Sequence, residues 1–331
     1  MKNRFLFLLL VFLFFAVSCK VSVNIPKGES INKNVTILPA GTDGSGGTEA
    51  TYVLYGKWPQ SLKDSSVKIN TSEKIACGNF EYYLGSDGEY YYLYNDIYYK
   101  VEPIKWRVLK KKSNGDWLLF SEYILSASYF YDNTSSRTID GNTILATNYE
   151  HSRVRAFLNG IEYLKDNTMN PEFTNKGFFQ TAFSQDEQSK ILKTTVDNSA
   201  DQMKPNGFES SGYIPDNYNN TDDYVFLLSI KEITSEEYGF APHNASNDNL
   251  VLTRSRVRTA TDFFMVQCPQ ITFNDYYYSQ EYGFYSYGWW TRSTYNDDYM
   301  YYVNHRGDSF YYKPTDIPQS GIAPAIVVKG E

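Results

Sequence analysis

Twelve of the 37 residues between Tyr276 and Tyr312 are tyrosine, a density that restricts what this part of the chain can build. Tyr combines a large apolar face, a polar tip and few rotatable bonds, so it suits half-wet strands and binding surfaces. Aliphatic residues almost vanish from the segment apart from Met300 and Val303, so it cannot form a core by itself. The runs Tyr276-Tyr277-Tyr278 and Asn296-Asp297-Asp298-Tyr299 do not alternate, which argues against strands there and for loops that present side chains. Asn, Ser and Asp between the rings supply adaptable hydrogen bonds. The reading favoured on residues alone is a recognition surface.

The other end of the chain is as distinctive. Lys2 and Arg4 precede an unbroken apolar run from Phe5 to Val17. That run falls short of the roughly 20 residues needed to span a bilayer core, and behind a basic start it predicts a secretory signal over residues 1–18. It ends in Ala16-Val17-Ser18-Cys19, like a bacterial lipobox with Ala16 where a strict one has Leu. Cys19 is therefore the expected acylation site, carrying palmitate-type chains; the alternative is plain cleavage near Ser18. Residues 19–50 hold few large apolar side chains and include Ala40-Gly41-Thr42-Asp43-Gly44-Ser45-Gly46-Gly47-Thr48, a tether with a reach of about 30 Å. Lys20 rather than Asp after Cys19 permits transfer to an outer membrane, so the expected location is the bacterial cell surface. Without the leader, 29 basic side chains face 38 acidic ones, a net charge of −9. No basic cluster with interleaved aromatics is present, which argues against nucleic acid as a partner. Cys77 and Cys268 are either a pair formed in an oxidising compartment or two small buried residues.

Residues 51–331 read as a single domain of α+β class. Ile104 to Leu109 and Trp117 to Ser121 predict paired strands across the turn Ser113-Asn114-Gly115-Asp116. Ser152 to Leu164 has helical spacing, and Ser184-Gln185-Asp186-Glu187 is a capping box predicted to open a helix through Ile191 and Leu192. Tyr224 to Leu228 predicts a buried strand, Ser229 to Glu232 the cap of a third short helix, and Ile322 to Val328 one core strand.

Enzymatic chemistry finds little support. His151, His243 and His305 have no metal-site spacing, and no phosphate loop, nucleophile elbow or CxxC pair occurs. Asp222-Asp223 and Asp297-Asp298 supply hard oxygens, but adjacent acids are more often solvated loop residues than calcium ligands. No metal, cofactor or catalysis is expected.

Several words in order carry a resemblance. They are Tyr55-Gly56-Lys57-Trp58-Pro59-Gln60-Ser61, Glu102 to Leu109, Leu119 to Leu125, Tyr149 to Gly160, Thr181 to Ser184, Asp223 to Ser229, and Gly288-Trp289-Trp290-Thr291-Arg292-Ser293 with Gly321 to Ala325. Together they resemble bacterial surface domains with a C-type-lectin-like fold of the formylglycine-generating-enzyme type. With a lipobox and a Tyr/Asn/Asp/Ser-rich segment, the chain looks like the variable proteins of treponemal diversity-generating retroelements. In such systems adenines of template codons are randomised, so an AAC codon cannot become Trp, Met, Lys, Gln or Glu. From Ser293 to Tyr312 only Met300 lies outside the reachable set.

The resemblance implies a monomeric, surface-displayed lipoprotein binding diverse ligands, proteins among them, through a variable segment at about 284–312. Trp289, Trp290 and Arg292 would be fixed scaffold. Tyr285, Tyr287, Tyr295, Asp297, Asp298, Tyr299, His305, Arg306, Tyr311 and Tyr312 would be outward-facing variable contacts. Ala323 stands where relatives commonly have Arg. Cys77 and Cys268 match no active-site cysteine motif, so oxidase activity is not inherited. The rival readings are an undiversified adhesin or glycan-binding lipoprotein and, further off, a formylglycine-generating-type oxidase.

Overall fold

Along Ile97–Lys111 the buried side chains Tyr99, Val101, Ile104, Trp106 and Leu109 are interleaved with partly exposed polar ones such as Lys105 and Arg107. That near-period-two pattern makes a long strand with one face in the core, and the sheet is organised around it. The computed structural model describes residues 36–37, 50–165, 168–206, 218–242, 255–268, 276–279, 284–308, 311–318 and 320–330. Cys19, the leader and most of the tether lie outside the described residues.

The first strands are β1 (Thr51–Leu62), β2 (Ile69–Cys77), β3 (Phe80–Gly85), β4 (Tyr90–Tyr94), β5 (Ile97–Lys111), β6 (Trp117–Ser121), β7 (Tyr123–Ile124) and β8 (Ser126–Ala127). A helix α1 (Arg153–Asn159) leads to a hairpin of β9 (Tyr163–Lys165) and β10 (Thr168–Asn170), then to α2 (Phe178–Ala182) and α3 (Gln185–Gln188). After β11 (Val225–Phe226), β12 (Arg258–Ala260) and α4 (Asp262–Val266) come the tyrosine-rich strands. These are β13 (Tyr276–Ser279), β14 (Phe284–Tyr287), β15 (Trp289–Thr294), β16 (Tyr299–Val303) and β17 (Tyr311–Pro314), followed by β18 (Gly321–Ile322) and β19 (Ala325–Val328).

Three sheets hold the molecule together. In the largest, β5 pairs antiparallel with β1, β4 and β6, and the ladder runs on through β19 to β11 and, at the other end, through β3 to β2. A four-stranded sheet has the order β13-β14-β12-β7, and a five-stranded one β17-β16-β15-β18-β8. Three stretches of chain pass from sheet to sheet, the first being residues 117–127, whose β6, β7 and β8 lie one in each. Phe284 to Thr294 crosses between the smaller sheets at Gly288, where an added Cβ would fall 1.8 Å from the Tyr302 hydroxyl. Residues 321–328 leave the five-stranded sheet at Ala323-Pro324 and enter the large one.

The core is aromatic. Trp58, Trp106, Trp289 and Trp290 are at most 1% exposed. Each indole N–H is satisfied by a backbone carbonyl: Leu125 at 2.9 Å, Tyr55 at 2.7 Å, Arg256 at 3.1 Å and Ser128 at 2.9 Å respectively. Those bonds remove the penalty of a buried donor and lock the rings in place. Cys268 is part of this main core, while Cys77 sits in a small separate cluster with Tyr82 and Val101.

The expected α+β class is corrected, and with it the C-type-lectin-like fold of the formylglycine-generating-enzyme type. Among the described residues 44% are strand and 13% helix, with several antiparallel sheets. Each expected helix is real but brief. The one expected over Ser152 to Leu164 stops at Asn159 because Gly160 turns left-handed (φ 64, ψ 45), and the next residues form β9. The Ser184–Glu187 capping box forms in both directions, yet α3 ends at Gln188 and Ile191 bridges to Val328. Ser229 and Glu232 also cap each other, but over one 3-10 turn, Glu232–Thr234. Tyr276–Ser279 is a strand after all, paired with β14. The hairpin of 104–109 with 117–121 forms as expected.

Candidate functional site

The tyrosine-rich strands β15 to β17 stand on a buried base. Trp289 and Trp290 are 0% exposed and Arg292 2%. The Arg292 guanidinium donates to the carbonyls of Leu227 at 2.8 Å and Asp197 at 3.1 Å, and pairs with the Glu232 carboxylate. Arg292 therefore ties β15 to the loops beneath it with a planar fork no other side chain reproduces. Ala323 is fully buried.

The turn from β15 to β16 is shaped by one residue. The Asn296 carboxamide oxygen accepts from the backbone N–H of Asp298 at 3.0 Å and of Tyr299 at 2.9 Å. This local cap folds the backbone inward and leaves the Asp297 and Asp298 side chains exposed. Their backbone oxygens are anchored, Asp297 by Thr147 Oγ1 at 3.2 Å and Asp298 by the Thr315 N–H at 3.2 Å. Behind the turn the Tyr218 hydroxyl bonds to Thr147 at 2.8 Å and Thr294 at 3.1 Å. Burial pushes that phenol up to about 12, so it stays protonated at neutral pH.

Three rings cluster at this tip. Tyr295 stacks on Tyr312 with centroids 4.2 Å apart and planes within 1°, and Tyr299 meets Tyr312 edge-on at 5.6 Å. Tyr301, 7% exposed, supports Tyr295 edge-on at 5.4 Å. Tyr312 is 47% exposed and Tyr295 and Tyr299 are half-buried. Their neighbours in space follow from the β16–β17 register, Tyr299 opposite Pro314 and Tyr301 opposite Tyr312. The result is a preordered aromatic platform beside two carboxylates.

The ten expected contacts do not form one surface. Tyr295, Asp297, Asp298, Tyr299 and Tyr312 converge at the tip. His305 and Arg306 sit beyond the other end of β16, about 15 Å away at roughly 3.3 Å per residue. Their turn is capped by Asn304 and held by Arg256, which donates to the Gly307 carbonyl at 2.7 Å. Tyr285, 45% exposed, is next to this second group, since the Ser286 hydroxyl donates to the His305 carbonyl at 2.8 Å. Tyr287 is corrected: it is 1% exposed and packs on Phe264 at 5.0 Å, so it belongs to the core. The backbone of Tyr311 pairs with Tyr302 in β17, and its side chain lies outside the described residues. His243 is also outside them. Sequence reasoning missed Tyr218, which no motif marks.

Other polar groups are engaged structurally. Asp223 is buried against Arg155 at 2.8 Å, with burial raising its carboxyl pKa against that pairing. Asp222 accepts from Thr195 at 2.7 Å. Among the described residues no group of three His, Cys, Asp or Glu side chains could hold a metal ion, and no helix is long and apolar enough to cross a membrane.

Fold and site thus describe a β-rich protein with an aromatic, acid-flanked tip on a rigid base. Residues 114–330 match the model of a family described as Domain of unknown function (DUF6273), and the chain belongs to that family. The match begins in the turn between β5 and β6 and takes in the whole tip; β1 to β5 precede it. No curated protein and no solved structure matches the chain.

Proposed function

We propose that this protein is a surface-displayed lipoprotein that binds a protein ligand, without catalysis, through the tip formed by Tyr295, Tyr299, Tyr312, Asp297 and Asp298. The observation that supports it best is the exposed stack of Tyr295 on Tyr312 with Tyr299 edge-on. Such rings are already ordered, so a partner burying them gains area at small entropic cost. Recognition energy concentrates in a few central aromatic residues. The full chain is to be screened by interferometry against a panel of purified extracellular proteins. For the ligand found, Tyr312→Ala or Tyr295→Ala is expected to weaken binding by about 2 kcal/mol, roughly 30-fold, while Tyr285→Ala stays within about twofold. Undiminished affinity in both tip variants would place recognition elsewhere.

The display half of the reading rests on the apolar run Phe5 to Val17 with Cys19 two residues beyond it. Cys19→Ala is expected to move the protein from the detergent phase to the aqueous phase on partitioning; unchanged partitioning would contradict the anchor. Diversification of the tip is part of the proposal, restricted to exposed positions because Met300, Tyr301, Tyr302 and Val303 are buried. A near-copy of the coding segment differing at adenines in flanking DNA is the expected signature, and its absence would favour an undiversified adhesin.

A further inference from the structure

Tyr295 and Tyr312 differ from every other pair of tyrosine rings among the described residues. Their centroids are 4.2 Å apart and their planes within 1° of parallel. The other pairs are at least 5.4 Å apart, and all but Tyr92 with Tyr94 meet nearly edge-on. The sheet holds the stack in place. The Tyr295 N–H donates to the Tyr299 carbonyl at 2.9 Å, and Tyr301 braces the Tyr295 ring edge-on. Tyr312 is fixed in β17 opposite Tyr301. The two side chains thus meet across β16, from the end of β15 and from β17, which are not neighbours in the sheet. The pair is also open to reagents. Tyr312 is 47% exposed and Tyr295 half-buried. Neither hydroxyl is hydrogen-bonded to another described residue, so its proton can pass straight to water.

That geometry suits one reaction of phenols. Removing one electron and one proton from a tyrosine leaves a phenoxyl radical whose spin lies partly on the two ring carbons beside the one bearing oxygen. Two such radicals join carbon to carbon. The new bond forms perpendicular to both ring planes, so rings that face each other are aligned for it and edge-on rings are not. Radicals held in contact couple within one molecule before a diffusing partner reaches them. Each joined carbon then passes its hydrogen to its own oxygen, which restores both hydroxyls. The oxidant class is hydrogen peroxide acting through a haem peroxidase. One peroxide takes up both electrons and both protons and leaves as two waters, while the protein loses two hydrogen atoms and gains one carbon–carbon bond.

We propose that Tyr295 and Tyr312 are an oxidative cross-linking site, at which a peroxidase-type oxidant staples the end of β15 to β17 as dityrosine. The site requires neither a ligand at the tip nor a lipid on the chain. Dilute full-length protein in detergent micelles, treated with a haem peroxidase and one equivalent of hydrogen peroxide, tests it. The monomer is isolated and mapped by mass spectrometry. Trypsin cuts after Arg292 and Arg306 and so places the two tyrosines in different peptides. Those peptides are expected to appear joined, lighter by two hydrogen atoms and with dityrosine fluorescence. Tyr295→Phe and Tyr312→Phe keep the rings and the fold, and each is expected to lower the yield of the joined peptides at least fivefold. Tyr299→Phe should change it by less than twofold. Three outcomes overturn the proposal: no joined peptides in the monomer, a yield unchanged in both Tyr295→Phe and Tyr312→Phe, or a loss in Tyr299→Phe as complete as in Tyr312→Phe. The last would assign the bond to the edge-on pair.

Discussion

Cutting the chain back to residues 114–330, the part that matches the family model, is expected to abolish cooperative folding. The cut removes β1 to β5, and with them every partner of β6 except β19. It also removes Val53, Tyr55, Trp58, Tyr99, Ile104, Trp106 and Leu109 from the main core. Trp58 alone lies against Phe178 at 4.7 Å and Phe263 at 6.4 Å, both of which would face a void. Even at the roughly 1.5–3 kcal/mol of a buried aliphatic side chain, seven such losses match a domain's whole stability of roughly 5–15 kcal/mol. Calorimetry should show a sharp transition for residues 50–330 and none for 114–330. A cooperative melt of the shorter chain would mean that the first five strands are an appendage.

Arg292→Ala is expected to destabilise the protein by about 3–5 kcal/mol, since it breaks a buried, hydrogen-bonded ion pair and strands the other partner. The Glu232 carboxylate would keep only its backbone donor from Ser229, at 2.7 Å, and the carbonyls of Leu227 and Asp197 would lose their donors. Arg292→Lys should recover only part of the loss, because an ammonium cannot reach three acceptors held for a planar fork. Urea denaturation of the two variants measures both effects. A loss below about 1 kcal/mol for Arg292→Ala would show that the base of the tip is not held by this residue.

What the sequence made legible follows from how sharply each residue type reports its surroundings. Trp, aliphatic residues and caps report well. The hairpin of Ile104–Leu109 with Trp117–Ser121 and the capping box at Ser184 were readable. Tyr reports poorly, because it tolerates any degree of burial and so erases the period-two signal. Tyr276, Tyr277 and Tyr278 do not alternate in type, yet they form a strand. Tyr285 and Tyr287 have the same parity on β14, yet one is 45% exposed and the other, with Phe264 packed on it, 1%. The helical expectations failed at their ends, where Gly160 and the short turns after Ser184 and Ser229 stop elements that periodicity would continue. The tip itself depends on a register between β16 and β17 that local pattern does not specify.

The crossing of residues 321–328 from one sheet to another bears on how the molecule is made. β19 lies between β6 and β11 in the large sheet, pairing Phe120 with Ala325 on one side and Phe226 with Ala325 on the other. Until the ribosome has delivered residues 325–328, β6 and β11 have no strand between them and the sheet stays open. Pairings this distant along the chain close slowly. The strand order thus makes residues 325–328 a keystone: four residues alone join the β5–β6 side of the large sheet to β11.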